Sequence, residues 1–255
     1  MKRESEIEGE LLHAKHALQP NSLGYCGPDE NDKILEHLHA SSVSEDLTSV
    51  LSRFEAAYPF VRMIAKSTGR TPFDKEVTEA YWIGNSLLNQ VEPSDFFQFV
   101  HQGLGKRMKK PEVRQIFREL GHLARPHHTF YVLGMYARSN IKTENQGKLV
   151  ELMDSCRVSW GHVQEVRPNT LVVDRRPLAL NDGSLSLSRP ERKEVHYDIE
   201  IPPFSTIKKG DWVSLHWNFA SEKLAPYQLR NLRSYTALDI EATNRIVALL
   251  KSGSK

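Results

Sequence analysis

Along the first 150 or so residues, apolar side chains recur at the spacing of a helix face, whereas beyond Cys156 they alternate or run together over strand lengths. Ser5 to Leu18 puts Ile7, Leu11, Leu12, Ala14 and Leu18 on one face. The dense Pro, Gly, Asn and Ser of QPNSLGYCGPDEN (Gln19 to Asn31) then predict a break. A second helix is expected from Asp29, whose acidic start suits a helix N-terminus and whose Ile34, Leu35 and Leu38 share a face. Further helices are expected over Ser44 to Ala57 and over YPFVRMIAKSTGR, with Pro59 in the first turn and Gly69 as the stop. Another is expected through TPFDKEVTEAYWIGNSLL from Thr71 and Pro72, and two more open at Pro93 and Pro111. RPHHTFYVLGMY fits a helix or a buried strand equally well.

From Cys156 the segments RVSWGHVQEV, TLVVDRRPL and GDWVSLHW read as strands, with Asn169 and NDG (Asn181 to Gly183) supplying turns. Several short strands in about 70 residues predict a small closed or half-closed barrel. Pro226 then fits the first turn of a final helix, Tyr227 through Leu250. The expected architecture is therefore α+β and multidomain: an all-α domain over 1–154, then a small β-barrel with a C-terminal helix over 155–255. No internal repeat or low-complexity tract is visible.

Composition narrows the function classes only a little. The chain has 255 residues, 39% hydrophobic and 26% charged, with a formal net charge of +2. That mild balance lacks the electrostatic footprint of a nucleic-acid binder. The basic stretch GKRMKKPEVR (Gly105 to Arg114) reads as a solvated loop and helix start. GLGKRMKK lacks the spacing and terminal Ser or Thr of a phosphate loop, and no nucleophile elbow occurs. The N-terminal stretch has no signal-peptide core, and no run of about 18 apolar residues predicts a membrane span. Two cysteines do not make a disulfide framework, so reduced thiols and a cytoplasmic location are expected.

CRVSWGHVQEV, LVVDRRPL and KKGDWVSLHWNFASEKL together resemble the hydrogenase assembly chaperone family (HypC/HupF). Cys156 matches the family's opening cysteine and Gly161 its glycine. Gly210, Asp211, Val213, His216, Phe219, Ala220, Glu222, Lys223 and Leu224 match its second motif in order and spacing. The resemblance covers roughly 155–240 and implies an oligonucleotide-binding-type (OB-like) barrel followed by a helix. It also implies a role in carrying an iron fragment to a metalloenzyme precursor. In the family the cysteine follows the initiator methionine; here it follows Ser155, Trp160 replaces the family's proline, and RRPLALNDGSLSLSRPERKEVHYDIEIPPFSTI is inserted. The first 150 residues do not match that family and resemble an uncharacterised bacterial helical module.

Cys156 and His216 are the first candidate metal ligands. A thiolate is a soft ligand for iron, nickel or zinc, and a barrel can bring a first-strand and a later-strand position together. The resemblance implies the same pair. Cys26 stands in a Gly- and Pro-rich turn before a helix start, where amide donors and the helix dipole favour a thiolate. His13 and His16, three apart, share a helix face and could share a metal. A helical site joining these to Cys26, Glu79 and His127 is a further arrangement. His127 and His128 are adjacent and point apart, so at most one joins a given site.

Two functions follow as expectations. One is a hydrogenase-maturation-like accessory protein, binding a metal fragment or a protein partner such as a metalloenzyme precursor or maturation factor. The other is a metal- or thiol-dependent enzyme, its site in the helical domain or at the domain junction, with Cys26 and His127 as candidate catalytic residues. Neither nucleic acid nor membrane is expected as a partner.

Overall fold

The first helix, α1 (Glu4–Ser22), runs four residues past its expected end, straight through Pro20. A proline lacks the N–H that would bond the carbonyl four residues back, so the His16 carbonyl must find another donor. It finds one across the fold in the His216 ring, at 2.6 Å. The chain is described here from a computed structural model, which covers residues 2–104, 110–139 and 145–252. The expected basic loop lies mainly outside the described residues.

Helices α2 (Asn31–His39), α3 (Glu45–Ser52), α4 (Tyr58–Thr68) and α5 (Lys75–Trp82) follow. Helix α3 starts where the Ser44 hydroxyl accepts from the Leu47 amide, and α4 ends at Gly69 in the left-handed conformation. Asp74, not Thr71, caps α5 by accepting from the Glu76 amide, and α5 stops at Trp82 before a 3-10 turn over Ser86–Gln90. Next come α6 (Pro93–Leu104), α7 (Lys110–Leu120), α8 (His128–Ser139) and α9 (Gln146–Cys156). RPHHTFYVLGMY is thus helical from His128. Its buried Phe130, Val132 and Leu133 reach the core from a helix, which leaves no backbone group needing a sheet partner.

After α9 the chain becomes β-structured: β1 (Ser159–Val166), β2 (Thr170–Arg175), β3 (Leu178–Asn181), β4 (Ser184–Leu187), β5 (Glu191–His196), β6 (Trp212–His216) and β7 (Phe219–Lys223). Five strands pair in the order β1-β2-β5-β7-β6, and β6 returns to β1 with Ser159 opposite Leu215, closing the ring. The β5–β7 join is thin, a parallel pairing of His196 with Phe219. Strands β3 and β4 form a separate hairpin on the NDG turn, where Asp182 and Gly183 both take positive φ. Part of the inserted stretch therefore supplies a ring strand, β5, as well as the hairpin. Gly161 is needed where β1 crosses the ring interior: a Cβ there would lie 2.9 Å from the Val173 side chain.

The last helix, α10 (Pro226–Ser252), packs on α8 and α7 and also touches β1 and β4, where Asn244 bonds both backbone groups of Leu185. Helix α1 lies against β6 and β7. The apolar core consequently runs without a break from Leu18 and Phe54 through Trp82 and Phe130 to Val163, Leu215 and Leu232. The seam near residue 155 is a change of secondary structure lying inside one shared core.

Candidate metal centre

Three segments distant in sequence meet beside α1. Cys156 is the last residue of α9, His128 the first of α8, and His216 the last of β6. One donor atom from each of His128, Cys156 and His216 lies within 4.8 Å of the others. They line a chamber of about 360 Å³ whose other walls include Ala17, Pro20, Cys26, Phe54, Tyr81, Trp82, Met153 and Trp217. Among the described residues lining it, none carries a carboxylate, ammonium or guanidinium group.

His216 is poised by its backbone surroundings. Its Nδ1 donates to the His16 carbonyl, the one Pro20 leaves open, so the Nε2 lone pair is free. That Nε2 is buried without a hydrogen-bond partner, on a residue 1% exposed. A neutral imidazole anchored to a carbonyl through one nitrogen, with the other bare, is the usual form of a metal-binding histidine. The β6–β7 connection holds it there. Trp217 and Asn218 both have positive φ, a two-residue hairpin turn of the type that matches strand twist. A tryptophan in this conformation is strained, and the turn is held by the Trp217 amide donating to the Ser155 carbonyl at 2.8 Å and by Tyr25 stacking on the indole at 4.1 Å.

His128 is engaged at both nitrogens. Its Nε2 donates to the Cys156 carbonyl at 2.8 Å, and its Nδ1 lies 3.1 Å from the Tyr81 hydroxyl, which also reaches the Ala56 carbonyl. With Nε2 donating, its lone pair lies on Nδ1, so it can join a metal through Nδ1 by displacing the Tyr81 hydroxyl, or through Nε2 by releasing the Cys156 carbonyl. Burial keeps all these groups uncharged: it pushes His128 well below its ordinary value and His216 down to about 4. Burial also pushes the Cys156 thiol up to about 12; Cys26 across the chamber adds to the rise, and the Trp217 side chain opposes it. Cys26 is likewise raised by burial.

The remaining histidines serve the packing. Trp82 donates its Nε1 hydrogen to His13 Nδ1 at 3.2 Å, so the proton of His13 sits on Nε2 and no lone pair is left there for a metal. His16 bonds the Leu12 carbonyl through Nδ1 and Ser214 through Nε2. Glu79 is taken up by Tyr227 and Gln228. His127 turns away and meets Asp239 of α10 at 2.5 Å, both side chains fully buried. The arrangement joining His13, His16, Glu79 and His127 to Cys26 is therefore not formed; of that set only Cys26 lines the chamber. A second possible ligand group, His39 with Asp198 and Glu200, lies at the surface and is already joined by a 2.7 Å hydrogen bond between His39 and Asp198.

Among the adjacent histidines, the one facing the chamber is His128. No local sequence signal separates it from His127; α8 starts at His128, and the packing around the chamber selects the ring. Trp217 and Tyr25 carry no local signal either: an aromatic in or beside a turn acquires meaning only when a second one stacks on it.

Neither the curated proteins nor the solved structures contain a match to this chain. A family model described as a family of unknown function, DUF6390, matches residues 5–249, nearly the whole length, and the chain belongs to that family.

Proposed function

We propose that the protein is a hydrogenase-maturation-like accessory protein that binds an iron or nickel fragment, with zinc as the other candidate ion, through Cys156 and His216. The observation that carries this reading is the bare, buried Nε2 of His216 beside the Cys156 thiol. An unpartnered buried nitrogen is costly, and a soft ion bridging it to a thiolate removes that cost. Cys156 would supply the negative charge and the soft donor. His216 would supply the imidazole, held in orientation by the His16 carbonyl. His128 is the third donor within reach. A bound metal would contribute Lewis acidity and ligand exchange, and the apolar walls would keep bulk water from competing. Exposed Tyr25 and Leu152 at the chamber's edge are suited to a protein partner that delivers or receives the fragment.

The test is Cys156→Ala in the full chain. Elemental analysis of protein purified without added metal should show metal in the wild type and its loss in the variant, with unchanged helical circular dichroism. Wild-type metal content in the variant would remove the thiol from this role. The alternative is a metal- or thiol-dependent enzyme at the junction of the helical and strand parts, favoured by the Tyr81–His128 hydrogen bond against the thiol-bearing wall. It predicts turnover that disappears in Tyr81→Phe while metal content stays constant.

A further inference from the structure

We propose that Cys26 is the second thiolate of this centre, so that the chamber takes a divalent, thiophilic ion in a charge-neutral set of two thiolates and the His216 imidazole. The inference rests on the metal-binding reading of the chamber and adds the residue that completes it. It follows from counting charge. A divalent ion held by Cys156 and neutral imidazoles leaves one positive charge in the chamber. The walls, among the described residues, contain no carboxylate to balance it. An uncompensated charge in apolar surroundings is costly, and a second thiolate removes that cost. Apart from Cys156, the soft acidic group on those walls is Cys26.

Both cysteines of the 255-residue chain thus face one chamber, although 130 positions separate them. Neither is in a disulfide. The independent sign that the chamber expects a ligand is His216 Nε2, buried without a partner on the same wall as Cys156. Cys26 stands outside the group whose donor atoms lie within 4.8 Å, so it closes the set from the loop after α1 rather than from a rigid element. As each sulfur–metal bond forms, its thiol gives a proton to solvent and hydration water leaves the ion.

The test is a Co(II) titration of the full-length, chelator-stripped and reduced protein, read by thiolate-to-cobalt charge-transfer absorption. Wild type, Cys26→Ser, Cys156→Ser and Cys26→Asp are compared, with circular dichroism confirming the fold of each. The expected result is two-thiolate intensity in the wild type. Cys26→Ser should show single-thiolate intensity and at least about tenfold weaker binding. Cys26→Asp should recover affinity without recovering the absorption, because it restores charge and not sulfur. Equal affinity and intensity in wild type and Cys26→Ser would overturn the role of Cys26 and leave the Cys156–His216 reading standing. No cobalt binding by the wild type would overturn both.

Discussion

His13 and His16 are fully buried imidazoles in a helix that a sequence reader would assign to metal binding. Their surroundings make them neutral packing groups. His13 meets Phe54, Phe73 and Trp82 edge-on, and His16 stacks on Trp82 with an interplanar angle of 16°. Burial pushes each down to about 3, from an ordinary value of 6.5. Below pH 6.5 the unfolded chain therefore binds protons that the folded chain does not. The stability these residues allow is complete above that value and is lost progressively as pH falls toward 3. At pH 5 the loss is roughly 2 kcal/mol per histidine. Urea midpoints measured with chelator present should fall between pH 7.5 and pH 5, and His13→Gln should flatten that slope. Equal midpoints at the two pH values would show that these rings are not held neutral. Residue identity was legible at this scale, but role was not: the i, i+3 spacing of His13 and His16 is equally good for a shared metal and for a shared aromatic wall.

At the scale of elements, the close approach of α1 to the start of α5 decides how tightly the helical part packs. Gly9 makes that approach possible. A Cβ at this position would lie 2.0 Å from the Phe73 carbonyl oxygen and 2.8 Å from the Lys75 amide nitrogen, both of them backbone atoms with no side-chain freedom to yield. Gly9→Ala gains about 1 kcal/mol of helix propensity and loses more through overpacking. A net loss of about 2 kcal/mol is expected in chemical unfolding. A midpoint at or above wild type would mean that the two helices part without cost. Helix positions were largely readable from apolar spacing and stop signals, as in α4 ending at Gly69 and α10 starting at Pro226. The end of α1 was not, because Pro20 normally closes a helix. Here the carbonyl it strands is satisfied by a histidine 200 residues away.

On the scale of the whole molecule, the final helix is held to the earlier helices by residues that no local pattern connects. Asp239 of α10 and His127 pair with both side chains at 0% exposure, across 112 positions. Asp239→Ala removes the partner of a buried imidazole and should cost about 1–3 kcal/mol. Because the core is continuous, the loss should appear as one shifted thermal transition seen alike by far-ultraviolet dichroism and tryptophan fluorescence. Separate transitions would show that the helical and strand parts unfold independently. The sequence by itself determined the α+β order, the change of period at Cys156 and the final helix, since apolar periodicity reports which face of each element must leave water. It also marked Cys156 and His216 as residues to watch. Only the tertiary structure decided that His128 faces them while His127 turns to Asp239, and that Cys26 lines the same chamber. The reason is physical: a local pattern sets the conformation of a segment, but a site is made by contacts among segments, and those depend on how the faces pack.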